Sequence, residues 1–415
     1  MVACTLLLHA NLQYAEFSFN DIPDIINKSY LPVLNMLHKN PGFKVVLNWT
    51  GWTLETLAGE NKSIYPDRAG EAIDLIRELL DCGQIDITGT SWSHAILPLC
   101  DTDDARKQIE LGLETTQRIL YHKPKGFFPP ELAIDPLLPG MLRQVGYEWT
   151  IIDDDLLRFT KDDLLNTAND FKPTPPSFMK RIARVSFKGI LAQYRFLRYQ
   201  EKLLRRKNDL TPVNWLGTGN TTLPALRCMQ AWNAYSLSCL SRMAILNEKR
   251  LFKMIRQVGS NREGFFIPFS SDMEFYGFGG NVSREPIPIE RLERFLMHLE
   301  STPAITLELP SEYFQNQDAA GFESLYLRSG SWVPDKDIGM WDSDPDNQRL
   351  NRLCDEVRRK FEQKQHQLSS DLQEKVWKAL LLAQNSDGRG WTPIPEKRLF
   401  CYNSALEALE LLETA

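Results

Sequence analysis

Two hydrophobic periods alternate along the first 150 residues. Thr5–Leu8 and Lys44–Trp49 (KVVLNW) are short apolar runs of strand length, the second preceded by Pro41-Gly42. Between them Leu31, Leu34 and Leu37 recur at helical spacing. Glu71–Leu80 then places Ala72, Ile73, Ile76, Leu79 and Leu80 on one helical face, with Gly83 where a helix would be capped. Gln84–Thr88 is a further short strand. Asp101 or Asp103 can cap a helix that runs to about Tyr121. Lys125–Phe128 predicts a strand, Met141–Val145 a short helix and Glu148–Ile152 another strand. Strand, helix and strand in repetition imply parallel strands joined by right-handed crossovers, an α/β fold.

Beyond Ile152 the pattern loosens. Lys172–Pro176 (KPTPP) predicts a loop or linker. Leu226–Val258 has a helical pattern, Gly264–Ser270 (GFFIPFS) that of a strand, and Ile305–Leu309 that of another. From about Asn347 the pattern is helical to the end, with Trp377, Leu380 and Leu381 on one face. The last third therefore predicts helices packed against a sheet or barrel.

The composition narrows the class. Of 415 residues, 43% are hydrophobic and 25% charged, which sets aside disorder, collagen and coiled coil. A formal charge of −6 argues against a surface that seeks nucleic acid, and no segment has the apolar length to cross a bilayer. Met1–Ala10 has no basic leader, so no signal peptide is expected. Seven cysteines without close pairs suggest neither a disulfide framework nor a zinc site, and a cytoplasmic protein is expected. One stretch departs from the acidic whole. Lys180–Lys207 carries ten Lys and Arg against one acid, Glu201, interleaved with Phe187, Tyr194, Phe196 and Tyr199. It fits an anion site, a lid over a cleft or, as such runs usually do, a solvated excursion.

Candidate chemistry lies just after the strands, because the carboxyl ends of parallel strands form the active face of such folds. His9 with Asn11, the loop Gly89–Leu99, Glu131, Asp272 with Glu274, and Asp387 after a late helix are the polar positions there. Glu131 follows an aromatic strand and two prolines, where a carboxylate is either neutralised or paired. Two carboxylates from different strand ends flanked by aromatic rings are the parts of a glycosidase. Trp92, Trp332 and Trp341 have faces that suit the apolar side of a sugar ring. Histidines at ligand spacing are missing, as are GxSxG and P-loop motifs, so a metal is not expected.

Five stretches taken in order resemble glycoside hydrolase family 57. They are Leu8-His9-Ala-Asn11-Leu-Gln13-Tyr14, Gly83–Thr88 with Ser93-His94-Ala-Ile-Leu-Pro-Leu, Gly126-Phe-Phe-Pro-Pro-Glu131, Asp272-Met-Glu274-Phe-Tyr276-Gly277, and Leu382-Ala-Gln384-Asn385-Ser386-Asp387. Gly330-Ser331-Trp332, near Trp341, is similar to a segment of members that act on α-glucans.

The resemblance implies an incomplete parallel (β/α)7 barrel followed by a C-terminal helical region that completes the site. The expected division is 1–310, with a basic insertion near 171–225, and 311–415. It implies a retaining mechanism, with Glu131 as nucleophile, Asp272 as general acid/base and their carboxyls about 5–5.5 Å apart. His9, His94 and Asp387 would hold sugar hydroxyls, with Asn11, Tyr14, Trp92, Glu274, Trp332 and Trp341 as further substrate-binding candidates. The implied substrate is an α-linked glucan or oligosaccharide, with no cofactor, metal, nucleic acid or membrane partner.

Three departures from the family pattern bear on specificity. Asn11 stands where a second histidine is common, Gln13 where proline is, and Phe128-Pro129 where tryptophan and a small or aliphatic residue are frequent. Other readings are a non-catalytic glycan-binding or regulatory relative and a glycosidase for another α-glycoside. A metal-dependent deacetylase would need a paired aspartate and a histidine cluster that the sequence lacks.

Overall fold

The computed structural model describes residues 1–61, 66–157, 209–241, 248–259, 264–280, 285–333 and 336–414. The expected loop Lys172–Pro176 and the basic stretch Lys180–Lys207 lie outside them. Among the described residues, seven parallel strands form the body of the fold: β10 (Ser270–Asp272), β2 (Leu6–Ala10), β3 (Val45–Trp49), β4 (Ile85–Gly89), β5 (Gly126–Phe127), β6 (Trp149–Asp153) and β8 (Thr222–Cys228), in that spatial order. β7 (Val213–Leu216) pairs antiparallel with β8, and β12 (Ser324–Tyr326) extends that edge. At the amino end of the barrel, β1 (Val2–Cys4) lies between β9 (Phe265–Phe266) and β11 (Ile305–Leu307), all parallel.

Alternation along the strands decides what fills the barrel. Leu7, Val46, Trp149, Ile151, Leu226, Cys228, Phe265 and Ile267 form one cluster inside it, to which both β8 and β9 contribute. Leu6, Leu8, Val45, Leu47, Ile85 and Ile87 point outward under helices such as Leu31–Lys39 and Ala69–Asp81. Strands covered on both faces read as continuous apolar runs, as these do. Gly126 is fixed by this packing, because a Cβ there would lie 2.2 Å from the Trp149 ring that fills the same level.

The expected elements of the first half are present, with Asp101 as the cap of Thr102–Leu120. Two expectations change. Leu226–Val258 is not one helix: β8 runs to Cys228, and helices Gln230–Leu240 and Glu248–Gly259 follow. A strand buried on both faces has no alternation to mark it, so its end merges with the helical pattern. Gly264–Ser270 is likewise two strands, β9 and the start of β10, with Pro268 between them. Proline has no N–H to give the ladder there.

Three helices, Pro345–Lys364, Ser370–Ala383 and Pro395–Glu413, have a core of their own around Leu350, Phe361, Val376, Leu380 and Ala405. Arg358 fastens them to the barrel by gathering Asp101, Asp103 and Asp104 at the start of Thr102–Leu120. The turn Gln384–Arg389, between the second and third of these helices, is thereby set against the carboxyl end of the barrel, where Ala95 and Asn385 form a bridge. Among the described residues no helix is long and apolar enough to cross a membrane.

Candidate active site

One in-register row crosses the barrel near its carboxyl end: Asp272, His9, Asn48, Thr88, Gly126 and Trp149, each paired with the next. Partners in a parallel ladder share a face, so these side chains lie at one level inside the barrel, and most of them are polar. Asn48 donates to the Thr88 carbonyl at 3.1 Å and hydroxyl at 2.9 Å, which turns its oxygen toward His9 Nδ1 at 2.7 Å. His9 therefore carries its proton on Nδ1 and a lone pair on Nε2. Burial, then the charge of His94 stacked 4.7 Å away, pushes its pKa down to about 3.

His94 is shifted the other way. Burial works against its charge, but hydrogen bonding and attraction to Asp387 outweigh that and raise its pKa. Its Nδ1 lies 2.9 Å from the Ser386 hydroxyl and 3.4 Å from Asp387 Oδ2. Asp387 also accepts from Asn11 Nδ2 at 2.7 Å and from the Ala15 amide at 3.1 Å. The left-handed backbone of His94, φ 62°, turns the ring into this group.

Asp272 ends β10, and the chain then turns through Met273–Phe275, so Asp272 and Glu274 do not share a continuing strand. The Tyr14 hydroxyl faces Asp272 and favours its anion. Burial, then the charges of Glu274 and Glu131, hold the Asp272 carboxyl well above the usual range. Glu274 is fully buried and accepts from the Asn11 amide at 2.9 Å and from the Tyr30 hydroxyl. Burial pushes its pKa up to about 7 against those hydrogen bonds.

Glu131 sits on a left-handed kink, φ 54°, directly after Pro129-Pro130. Its Oε2 accepts the Trp332 indole N–H at 2.7 Å and that of Trp391 at 3.4 Å. The two indoles stack, with centroids 5.1 Å apart and planes 17° from parallel. Burial raises the Glu131 pKa, with the His94 charge and the indole donors working the other way. Glu131, Asp272, Tyr14 and Trp332 keep part of their surface open, whereas His9, Asn11, His94, Glu274 and Asp387 are buried behind them.

The structure thus brings together nine of the candidates, Glu131, Asp272, His9, Asn11, Tyr14, His94, Glu274, Trp332 and Asp387. It places two elsewhere. Trp92 is core, packed so closely on Gly51 that a Cβ there would lie 2.1 Å from its ring. Trp341 is fully buried in a small cluster with Ile96, Ala133 and Val333. Both are apolar enough for the core, and their motifs carry no sign of which side the ring takes.

Asn48, Tyr30, Ser386 and Trp391 are additional members of the site. A polar residue inside the apolar run KVVLNW marked Asn48, and Ser386 lies within a quoted motif. Nothing in the sequence around Tyr30 or Trp391 points to either. Among the described residues no group of His, Cys, Asp and Glu is arranged to hold a metal ion.

The family model for glycosyl hydrolase family 57 matches residues 7–207. That match places the barrel part of the chain in glycosyl hydrolase family 57. A 4-alpha-glucanotransferase of Thermococcus litoralis is 32% identical over 128 residues, covering 31% of this chain and only 18% of the relative's length. A crystal structure of 4-alpha-glucanotransferase from the same organism superposes over 98% of this chain and 59% of its own, with a TM-score of 0.63 at 18% identity. An alpha-amylase structure from Thermotoga maritima matches over 100% of this chain and 93% of its own, with a TM-score of 0.62 at 14% identity. At these identities the superpositions show the fold, the parallel α/β barrel with its helical C-terminal region.

Proposed function

We propose that this family 57 chain is a retaining glycoside hydrolase or transglycosylase of α-linked glucans, with Glu131 as nucleophile and Asp272 as general acid/base. The observation that carries the reading is the unequal setting of two partly open carboxyls. Glu131 has one oxygen held by indole donors and faces His94, whose charged form Asp387 favours, and both work toward its anion. Asp272 lies beside the negative Glu274 and Glu131, which favour its protonated form. Burial raises both carboxyls, but these neighbours hold Glu131 back and push Asp272 further up, and environments that part the pKa values of two carboxyls suit them to the roles of base and acid.

In this mechanism Asp272 gives its proton to the glycosidic oxygen as Glu131 Oε1 attacks the anomeric carbon. The C–O bond to the leaving sugar breaks and a glycosyl ester forms on Glu131. Asp272, now a carboxylate, takes a proton from water or from an acceptor sugar hydroxyl, whose oxygen displaces Glu131 and restores the original configuration. His9 Nε2, Gln13 Nε2 and Glu274 Oε2 are buried without a hydrogen-bond partner among the described residues. They are suited to sugar hydroxyls, His9 as acceptor and Gln13 as donor. The stacked Trp332 and Trp391 offer an apolar face beside the nucleophile.

The test is product analysis on maltooligosaccharides and amylose for wild type, Glu131→Ala and Asp272→Ala. Shorter or rearranged glucans from wild type, none from the folded variants, and rescue of Glu131→Ala by azide as an inverted glycosyl azide support the reading. Full turnover by either variant overturns it.

A further inference from the structure

We propose that Lys336 is a positioning residue for Glu131, acting through Trp332. The proposal rests on the reading of Glu131 as nucleophile. Lys336 Nζ donates to Asp153 Oδ2 at 2.6 Å and to the Trp332 carbonyl at 3.1 Å. Trp332 in turn sends its indole N–H to Glu131 Oε2 at 2.7 Å. Asp153 ends β6 and Glu131 follows β5, its neighbour in the sheet. The lysine therefore ties the tryptophan loop to the strand beside the one that presents the carboxylate.

Three features separate this arrangement from an ordinary surface ion pair. Lys336 is 4% exposed and Asp153 is fully buried, so both charges are removed from water at a cost that packing alone would not require. Lys336 has a left-handed backbone, φ 56°, unusual for a long side chain, and that conformation turns its carbonyl onto Gly330. The loop is also fixed at a second point, where Gly330 and Ile134 exchange backbone hydrogen bonds of 2.8 and 3.0 Å. Trp332 lies between the two attachments. Its indole has little freedom to leave Glu131, and the same oxygen of the carboxylate is held through each catalytic step.

Asp155, at 3.7 Å, is the other carboxylate facing the Lys336 ammonium, and Asp154 is turned to Arg227. The charges facing Glu131 are His94 and Asp387, with Asp272 across the site. None of those side chains bonds to Lys336. Loss of the lysine therefore reaches Glu131 through Trp332 rather than through a change in these neighbours.

The experiment compares wild type with Lys336→Met/Asp153→Asn, which removes both buried charges together, and with Lys336→Gln as a second variant. Tryptophan emission is titrated with pH against Glu131→Gln as the blank, alongside steady-state kinetics on a maltooligosaccharide. Protonation of Glu131 is expected to change emission in wild type and not in the blank. In both Lys336 variants the midpoint moves to higher pH, because the carboxylate loses a donor that favours its anion. The value of kcat is expected to fall about tenfold or more with KM nearly unchanged, as for an interaction realised in the transition state. A variant with the wild-type midpoint and wild-type kcat overturns the proposal, whatever its melting temperature. So does identical titration of wild type and Glu131→Gln. If Glu131→Gln retains turnover while the emission link persists, the nucleophile assignment fails and the contact between Lys336, Trp332 and Glu131 stands.

Discussion

Asn11 Nδ2 donates to Asp387 Oδ2 at 2.7 Å, joining residues 376 positions apart. The Asn11 side-chain oxygen meanwhile accepts the Gln13 amide at 3.1 Å and its own amide goes to Glu274. Fully buried and bonded on every polar atom described, Asn11 organises two carboxylates more than it faces a ligand. Asn11→Asp is expected to destabilise the fold more than Asn11→Ala at neutral pH, because it sets two carboxylates against each other. Asn11→Ala loses a charge-assisted bond of about 1.5–3 kcal/mol. On acidification Asn11→Asp recovers, since one protonated carboxyl restores the bond, and Asn11→Ala does not. Thermal melts across pH decide this; parallel curves for the two variants would refute it.

Removing the Tyr14 hydroxyl changes the Asp272 proton. The donor favours the Asp272 anion, so Tyr14→Phe raises the Asp272 pKa further. Asp272 acts as acid in its protonated form, and the alkaline limb of the kcat/KM profile is expected to move to higher pH. The acid limb, set by Glu131, stays where it is. Movement of the alkaline limb downward would exclude Asp272 as the acid.

Glu274 links stability to pH. Its pKa rises from an ordinary 4.5 to about 7 on folding, so the folded chain binds that proton more tightly than the unfolded one. The contribution is fully present below the unfolded pKa and is lost as pH rises through about 7. It amounts to a quantity on the order of 3 kcal/mol. Wild type is expected to lose stability relative to Glu274→Gln over that window, read as diverging denaturant midpoints. Constant separation of the two across the window would contradict it.

Gly126→Ala is expected to cost at least about 1–3 kcal/mol, the range for overpacking a filled interior. The added methyl collides with the Trp149 indole inside the barrel rather than with a flexible chain end. Chemical denaturation with the unchanged neighbour Phe127 as context measures it, and a neutral result would mean that Trp149 does not fill this level.

Chelation offers a check on the carboxylate mechanism. Activity on α-glucans is expected to be unchanged after prolonged treatment with a chelator. Loss in chelator and return with zinc would replace the Glu131–Asp272 mechanism by a metal-assisted one.

The strands, the crossover helices of the first half and most of the polar cluster were legible in the sequence, because periodicity and the motif order are local properties. Apolar runs of strand length set β2, β3 and β4, and the positions just after the strands marked His9, His94, Glu131 and Asp272. Tertiary structure decided what local pattern cannot carry. Burial on both faces hid β8 inside a helical pattern, and Pro268 split the strand before Asp272. Trp92 and Trp341 went to the core and Trp391 to the nucleophile, because an indole suits either place and only the returning chain selects one. The pairing of Asn11 with Asp387 and of Trp332 with Glu131 spans hundreds of residues, so it exists only once the barrel closes and the C-terminal helices dock on it.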